Sequence, residues 1–467
     1  MDTETARLKD GSTIAYLPEP IGEGAEKTVY FTADRRQVIA LYRDGRESGD
    51  EKRYQRLEAI TVKYNPTLDP NEGTIWAEYF CWPTGIGSQP SLGVIAPAFP
   101  GNYFFPAGSG PHAGREKKGR WFVSPKPRSK LSKAERGDWL GYLKIAIRVA
   151  RAVRRLHSAG LAHSDLSSNN VLIDPSRGLS IIIDIDSLVV PGLHPPKVEG
   201  TPGYMAPEVV AGRERPSIRT DLHALGVLIY EYLLKRHPLR GPKVHSQESS
   251  EMDEALSMGE RALFIEHPTD HSNRPNDIPI SMDSLGAYIP DLFRKTFVDG
   301  LHSPEGRPTA SDWERGLVRS TDLILPCPRE SCEGRWFLFN RGVRPICPHC
   351  GSQYRSPVPL LQFYREGKPG DFRAEGHYLA CWDGVHLCKW HLFDNVFPDQ
   401  MADRKSQGYI RLHNGKWTLA NKSGAPMQVV NGQAVPSEKS IELTDGLQII
   451  LSKAPHGRLA VVQMVGG

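Results

Sequence analysis

No apolar run in this 467-residue chain approaches the roughly 18 residues needed to cross a membrane as a helix. The amino terminus, MDTETARLKD, has no apolar core of a secretory signal. The expectation is a soluble, cytoplasmic protein with no membrane partner. Net charge is nearly absent as well: 58 Lys and Arg against 54 Asp and Glu leave only +4, which gives no reason to expect a nucleic acid partner. The basic surplus is local, in GREKKGRWFVSPKPRSK (Gly114–Lys130). Cysteine is scarce. There are seven, an odd number, and four of them fall in one short segment, which fits a metal site better than a disulfide framework. No repeat recurs at a solenoid period.

What is present divides by periodicity. Residues 12–100 read mainly as strands (TIAYL, KTVYF, QVIALY, GVIAPAF), interrupted by the helix-like GDEKRYQRLEAI with its charged outer face. From about Leu131 the apolar residues of DWLGYLKIAIRVARAVRRLHSAG recur every three or four positions, and Gly160 supplies a stop. Between the two regions, 101–133 is rich in Gly, Pro and basic residues and is expected to be an exposed insertion. A further helical stretch, DLHALGVLIYEYLLKRH, follows, and the helical region ends near Thr321. The last strands, from YIRLHNG to RLAVVQM, carry regular turn signals that predict a small β-sandwich.

The stretch HSDLSSNNVLID (His163–Asp174) sets Asp165 five residues before Asn170, and the apolar LSIIIDIDSL then ends in Asp184 and Asp186. Phosphoryl transfer needs a carboxylate to orient the acceptor hydroxyl and magnesium ions to neutralise phosphate oxygens. Asp165 suits the first task, and Asn170 and Asp184 suit the second. Asp186 either binds a second magnesium or caps a local turn.

These residues resemble those of the protein kinases. HSDLSSNN is similar to their catalytic loop, IDID stands in the position of their D-F-G, and GTPGYMAPE (Gly200–Glu208) resembles the end of their activation segment. The resemblance implies a buried Asp221 in RTDLHALG and an Arg307 that pairs with Glu208. It implies an α+β, bilobal protein-kinase fold over 1–325, with a strand lobe at 12–100 and a helical lobe at 134–325. It also implies ATP and Mg2+ as cofactors, a protein substrate, and Val29, Ala40 and Ala96 around the nucleotide. Ser164 stands where the family has arginine, so control through a phosphate on the activation loop is not expected, and Ser167 stands where the family has a lysine that contacts the transferred phosphate, which implies a lower rate.

The third strand, QVIALYRD, has Ala40 or Tyr42 where most kinases place the lysine that holds the phosphates. In the glycine-rich turn IGEGAEKTVYF (Ile21–Phe31), Gly22 and Gly24 are followed by Lys27 at the third glycine position. That pattern is similar to the with-no-lysine kinases, in which the loop supplies the lysine. The natural partner of Lys27 is then a glutamate on the first helix, Glu58 before Glu51. Loss of the strand lysine also suits a nucleotide-binding pseudokinase scaffold.

Further on, CPRESC and CPHC place Cys327, Cys332, Cys347 and Cys350 at zinc-ribbon spacing (326–356), which predicts a closed, structural Zn2+ site. Cys81, Cys381 and Cys388 read as buried core, and Cys381, His386, Cys388 and His391 are poorly spaced for a second metal. The tail, 357–467, resembles a forkhead-associated domain in NGKWTLANKSG, VVNGQAV and LTDGLQIIL. Its phosphate-binding arginine and Ser-x-x-His are missing, so a phosphate-independent docking module is an equal reading. In this order the three parts resemble the bacterial kinases of the TerY-type triads, which accompany a von Willebrand A-domain protein and a metal-dependent phosphatase in stress or defence settings.

Overall fold

The computed structural model describes residues 2–24, 26–43, 51–197, 200–340, 344–368 and 370–466. They form two compact units, 1–278 with 292–314, and 279–291 with 315–467.

The first unit begins with six antiparallel strands that close into a barrel in the order β1-β2-β3-β4-β6-β5. They are β1 (Glu4–Leu8), β2 (Thr13–Glu23), β3 (Lys27–Thr32), β4 (Gln37–Tyr42), β5 (Gly85–Gln89) and β6 (Gly93–Pro97). The period of two in QVIALY sorts its side chains between two cores. Ile39 and Leu41 pack with Ala6, Tyr16 and Ile95, whereas Ala40 and Tyr42 pack with Leu57, Leu92 and Val94. Leu57 belongs to α1 (Glu51–Glu58), whose buried face is Arg53, Arg56 and Leu57. Strands β1 and β5 escaped sequence reading because they are short and mostly polar at the surface.

Helix α2 (Trp139–Ser158) starts where the Asp138 side chain accepts the Gly141 amide at 3.0 Å. It buries Leu143, Ile145, Ala146, Val149 and Val153, and Gly160 follows it at φ 76°. Gly141 is required by close approach, since a Cβ there would lie 2.0 Å from the Pro175 carbonyl oxygen. Helix α3 (Ile218–Leu234) is buried from Thr220 onward, so it is packed on every side. The hairpin β7 (Val171–Asp174) and β8 (Leu179–Ile182) follows the segment His163–Asn170 and leads into Asp184. The segment 101–133 is not simply exposed. Tyr103, Phe105, Phe122 and Val123 are buried, as is Lys117, while Arg115, Arg120, Lys126 and Lys130 are exposed.

In the same unit Arg307 meets Glu208 through two bonds, Nη1 to Oε1 at 2.6 Å and Nη2 to Oε2 at 2.8 Å, and its Nε donates to the Gly300 carbonyl at 2.7 Å. The guanidinium is fully buried and Glu208 is 10% exposed. Arg307→Ala would leave the carboxylate without its partner and is expected to lower stability by about 3 kcal/mol, read as an earlier first transition in urea unfolding of the full chain.

Helix α4 (Ala310–Thr321) leads into the second unit. There a two-stranded ladder, β9 (Ile324–Pro326) with β10 (Trp336–Leu338), precedes two antiparallel sheets. The larger runs from the hairpin Val358–Lys368 and Asp371–Ala380 through Arg458–Val465 to Gln448–Ile450, Met427–Val429 and Ala434–Val435. The smaller contains His386–Leu387, Gly408–His413, Lys416–Asn421 and Ser440–Glu442. Buried Asp322 accepts from His377 at 2.6 Å and His391 at 3.1 Å. His391 is thereby occupied, and His386 is exposed and bonded to Ser406 at 2.8 Å. Among the described residues, Cys381, His386, Cys388 and His391 therefore form no metal cluster.

Candidate active site and cysteine cluster

The register of the β7–β8 hairpin sets the first two site residues. Val171 pairs with Ile182, so Asn170 and Ile183 end opposite each other, and the Ile183 amide donates to the Asn170 carbonyl at 3.0 Å. Asp184 follows at once. The Asn170 amide donates to Asp165 Oδ2 at 2.8 Å and to the Asp165 carbonyl at 2.9 Å. The other carboxylate oxygen of Asp165, Oδ1, accepts the Thr201 hydroxyl at 2.6 Å. That hydroxyl is also 3.2 Å from Ser167 Oγ.

The loop is held from below by Asp221, which is 2% exposed and accepts the His163 amide at 2.6 Å. The His163 ring bonds the Ile183 carbonyl at 3.0 Å. Ser164 and Asp184 both have left-handed backbones, at φ 62° and 63°. Each costs of order 1 kcal/mol and is kept by its surroundings; the Ser164 hydroxyl donates to the Ser187 carbonyl at 2.8 Å.

Lys27 opens β3 directly opposite Tyr42, the last residue of β4. Its ammonium lies 2.8 Å from Asp184 Oδ1, and 2.8 and 2.7 Å from the two oxygens of Asp186. The Tyr42 hydroxyl donates to Asp186 as well. Burial alone would lower the pKa of Lys27, but the Asp186 and Asp184 carboxylates outweigh it and hold the ammonium well above its ordinary value. Burial would likewise raise Asp186, yet Lys27 and Tyr42 pull it down to about 2.

The helix glutamates are not the partners of Lys27. Glu58 and Glu51 are exposed and bond Tyr54 and Gln55 of their own helix, at 3.3 and 3.2 Å. The reason is the phase of α1, whose inward polar residues are Arg53 and Arg56. Arg53 stacks its guanidinium 4.2 Å from the centre of the Tyr42 ring and pairs with Glu26 at 3.6 Å. Where an inward carboxylate was expected the helix offers a cation. Tyr42 and Thr201 were the residues that sequence reasoning missed, although each sits in a segment it had singled out.

Val29 and Ala40 are register partners and share one apolar cluster. Ala96 lies in another, with Cys81, Leu172 and Ile183. A Cβ on Gly22 or Gly24 would make only ordinary contacts, at 3.9 Å from the Val29 Cβ and 3.6 Å from the Lys27 carbonyl oxygen. The protein itself does not demand glycine at either place, which suits a backbone that a ligand must approach closely.

Residues 140–312 match the family model of the protein kinase domain. This segment is a protein kinase domain. Among curated relatives, the chain is 34% identical over 122 residues to the serine/threonine-protein kinase PknD of Chlamydia felis, covering 22% of this chain and 13% of the relative. It is 28% identical over 179 residues to the serine/threonine-protein kinase PkaA of Streptomyces coelicolor, covering 37% of this chain and 28% of the relative. The matches to these two thus span less than a third of either relative's length.

A kinase domain implies ATP and magnesium. The donor set fits: Asn170 and Asp184 offer hard oxygens of the kind magnesium takes, and the Lys27 ammonium stands beside them. Bound magnesium would neutralise phosphate oxygens.

The four cysteines come together in the second unit, with all four sulfurs within 4.8 Å of one another. Cys327 and Cys350 are 3.5 Å apart, and Cys332 and Cys347 are 3.8 Å apart. Bonds of about 2.3 Å to a tetrahedral zinc separate sulfurs by about 3.8 Å, so this cluster has the dimensions of a closed zinc site. Cys347→Ser leaves three thiolates. Zinc content by elemental analysis should fall from one ion per chain towards none and the segment from 326 onward should become protease-sensitive, while 1–278 keeps its fold.

Proposed function

We propose that this chain is an ATP- and magnesium-dependent serine/threonine protein kinase whose phosphate-holding cation is Lys27 of the glycine-rich loop. Supporting this are two bonded sets, Asp165 with Asn170 and Thr201, and Lys27 with Asp184 and Asp186, which adjoin through the backbone bond from Ile183, the residue before Asp184, to Asn170. Asp165 already accepts a threonine hydroxyl, as it must for a protein acceptor. Its carboxylate orients the incoming hydroxyl and takes up its proton as the oxygen bonds the γ-phosphorus and the bond from that phosphorus to the bridging oxygen breaks, releasing ADP. Asn170 keeps one carboxylate oxygen turned towards the loop. Lys27 supplies positive charge over the transferring phosphoryl group, and Asp186 with Tyr42 fixes the ammonium in place. Val29, Ala40 and Ala96 are the apolar residues against which the base would lie.

Beyond the kinase domain, we assign Cys327, Cys332, Cys347 and Cys350 to a structural zinc ribbon and the following sheets to a forkhead-associated-like docking module. Membership of a TerY-type triad, with a von Willebrand A-domain protein and a metal-dependent phosphatase as partners in bacterial stress or defence, rests on the order of these parts. Incubation of the purified chain with γ-labelled ATP and magnesium tests the enzymatic assignment. Label is expected on the chain itself or on a protein co-purified from its host; nucleotide binding without any transfer would overturn it.

A further inference from the structure

The basic segment has no role in the chemistry just described, yet it lies against the catalytic loop. The Gly119 amide donates to the Val171 carbonyl at 2.9 Å, the Ile173 amide to the Lys117 carbonyl at 2.9 Å, and the Arg120 amide to the Ser168 carbonyl at 3.1 Å. The approach is tight enough to require glycine: a Cβ on Gly119 would lie 2.7 Å from the Tyr232 hydroxyl and 3.2 Å from the Ser168 carbonyl oxygen. Arg120 is therefore anchored three residues along the loop from Asp165.

Seven basic residues stand against the single Glu116 between Gly114 and Lys130. Arg115, Arg120, Lys126 and Lys130 are exposed. Nearby carboxylates are already engaged, Glu116 by Lys118 at 3.1 Å and Glu135 by the Ser132 amide and hydroxyl at 3.1 and 3.0 Å. Among the described residues none is in an ion pair with these four cations. Arg120 lies over the Trp121 ring at 4.9 Å, a contact that leaves its N–H groups available to a carboxylate. An extended peptide advances roughly 3.3–3.6 Å per residue, so side chains a few places from an acceptor hydroxyl at Asp165 come within reach of Arg120.

We infer that this cationic rim selects acidic protein substrates, with Asp or Glu within about five residues of the acceptor Ser or Thr. The inference rests on the kinase reading above and adds the substrate class to it.

The test compares the full chain with the triple variant Arg115→Glu, Arg120→Glu, Lys126→Glu, using Ser/Thr peptides flanked by Asp, by Ala or by Lys. Wild type should show a KM about tenfold lower for the Asp peptide than for the Lys peptide, a difference that shrinks between 0.05 and 0.5 M salt. The variant should reverse the order while its rate on the Ala peptide and its KM for ATP stay unchanged. The corresponding triple alanine variant should abolish the preference without reversing it. Anisotropy of the labelled Asp peptide gives the same comparison without requiring transfer, so loss of the kinase reading and loss of this one are separable. Equal KM values across the wild-type series, or an acidic preference that survives in the triple variant, would overturn the inference. So would tight binding of a DNA duplex that the variant loses while Asp and Lys peptides bind wild type alike.

Discussion

Asp165→Asn is expected to lower γ-phosphate transfer by roughly a hundred- to ten-thousandfold while leaving nucleotide affinity nearly unchanged. The asparagine keeps the shape, and its carbonyl can still accept from Thr201 or Asn170, so the loop should keep its conformation. What it loses is a site for the proton of the acceptor hydroxyl. Single-turnover transfer and equilibrium binding of a fluorescent nucleotide separate the two effects. Transfer at the wild-type rate would remove Asp165 from the mechanism. Reduced binding would mean that the substitution had disturbed Asn170, to which Asp165 is bonded through both its side chain and its carbonyl.

The second large effect is expected at Lys27. Lys27→Ala removes the cation beside Asp184 and should cost roughly a hundred- to thousandfold in rate, because a fixed charge facing the transferring group is worth that much in a water-poor site. It should also weaken nucleotide binding, which a solvated surface lysine would not do. The structure selects between two possible rescue positions on β4. Ala40 faces Leu57, Leu92 and Val94, so a lysine there would bury its ammonium among apolar groups. Tyr42 lies directly opposite Lys27 and already bonds Asp186. Lys27→Gly with Tyr42→Lys should therefore recover part of the activity, and Lys27→Gly with Ala40→Lys should not. Asp186→Asn is expected to resemble Lys27→Ala more closely than Glu58→Ala does, since Asp186 holds the ammonium and Glu58 faces solvent. Full activity in Lys27→Ala would leave the loop lysine without a function.

Much of this molecule can be read along the chain because the relevant physics is local. Alternation in QVIALY, the helical period of WLGYLKIAIRVARAVRRLHS and the paired spacing of the four cysteines each state their own structure. The order of HSDLSSNN, IDID and GTPGYMAPE carries the kinase domain, and hairpin register sets Asn170 opposite Ile183, the residue before Asp184.

Tertiary structure decided the rest. Lys27 and Asp186 are 159 positions apart, and nothing local says which carboxylate a four-methylene side chain will find. The helix offered Glu51 and Glu58 at plausible places, but its rotational phase is fixed by what it buries. With Leu57 and Arg53 turned inward, both glutamates face water. The hairpin Val358–Lys368 with Asp371–Ala380 stayed hidden for a related reason: the end of the first strand and the start of the second, next to the turn, lie outside the core, and its pairing depends on the distant strand Arg458–Val465. The basic segment, too, reads as surface from its composition. Its position against the catalytic loop depends on the close approach that Gly119 permits beside Ser168 and Tyr232, a contact between elements that are far apart in sequence and meet only when the helical lobe has folded.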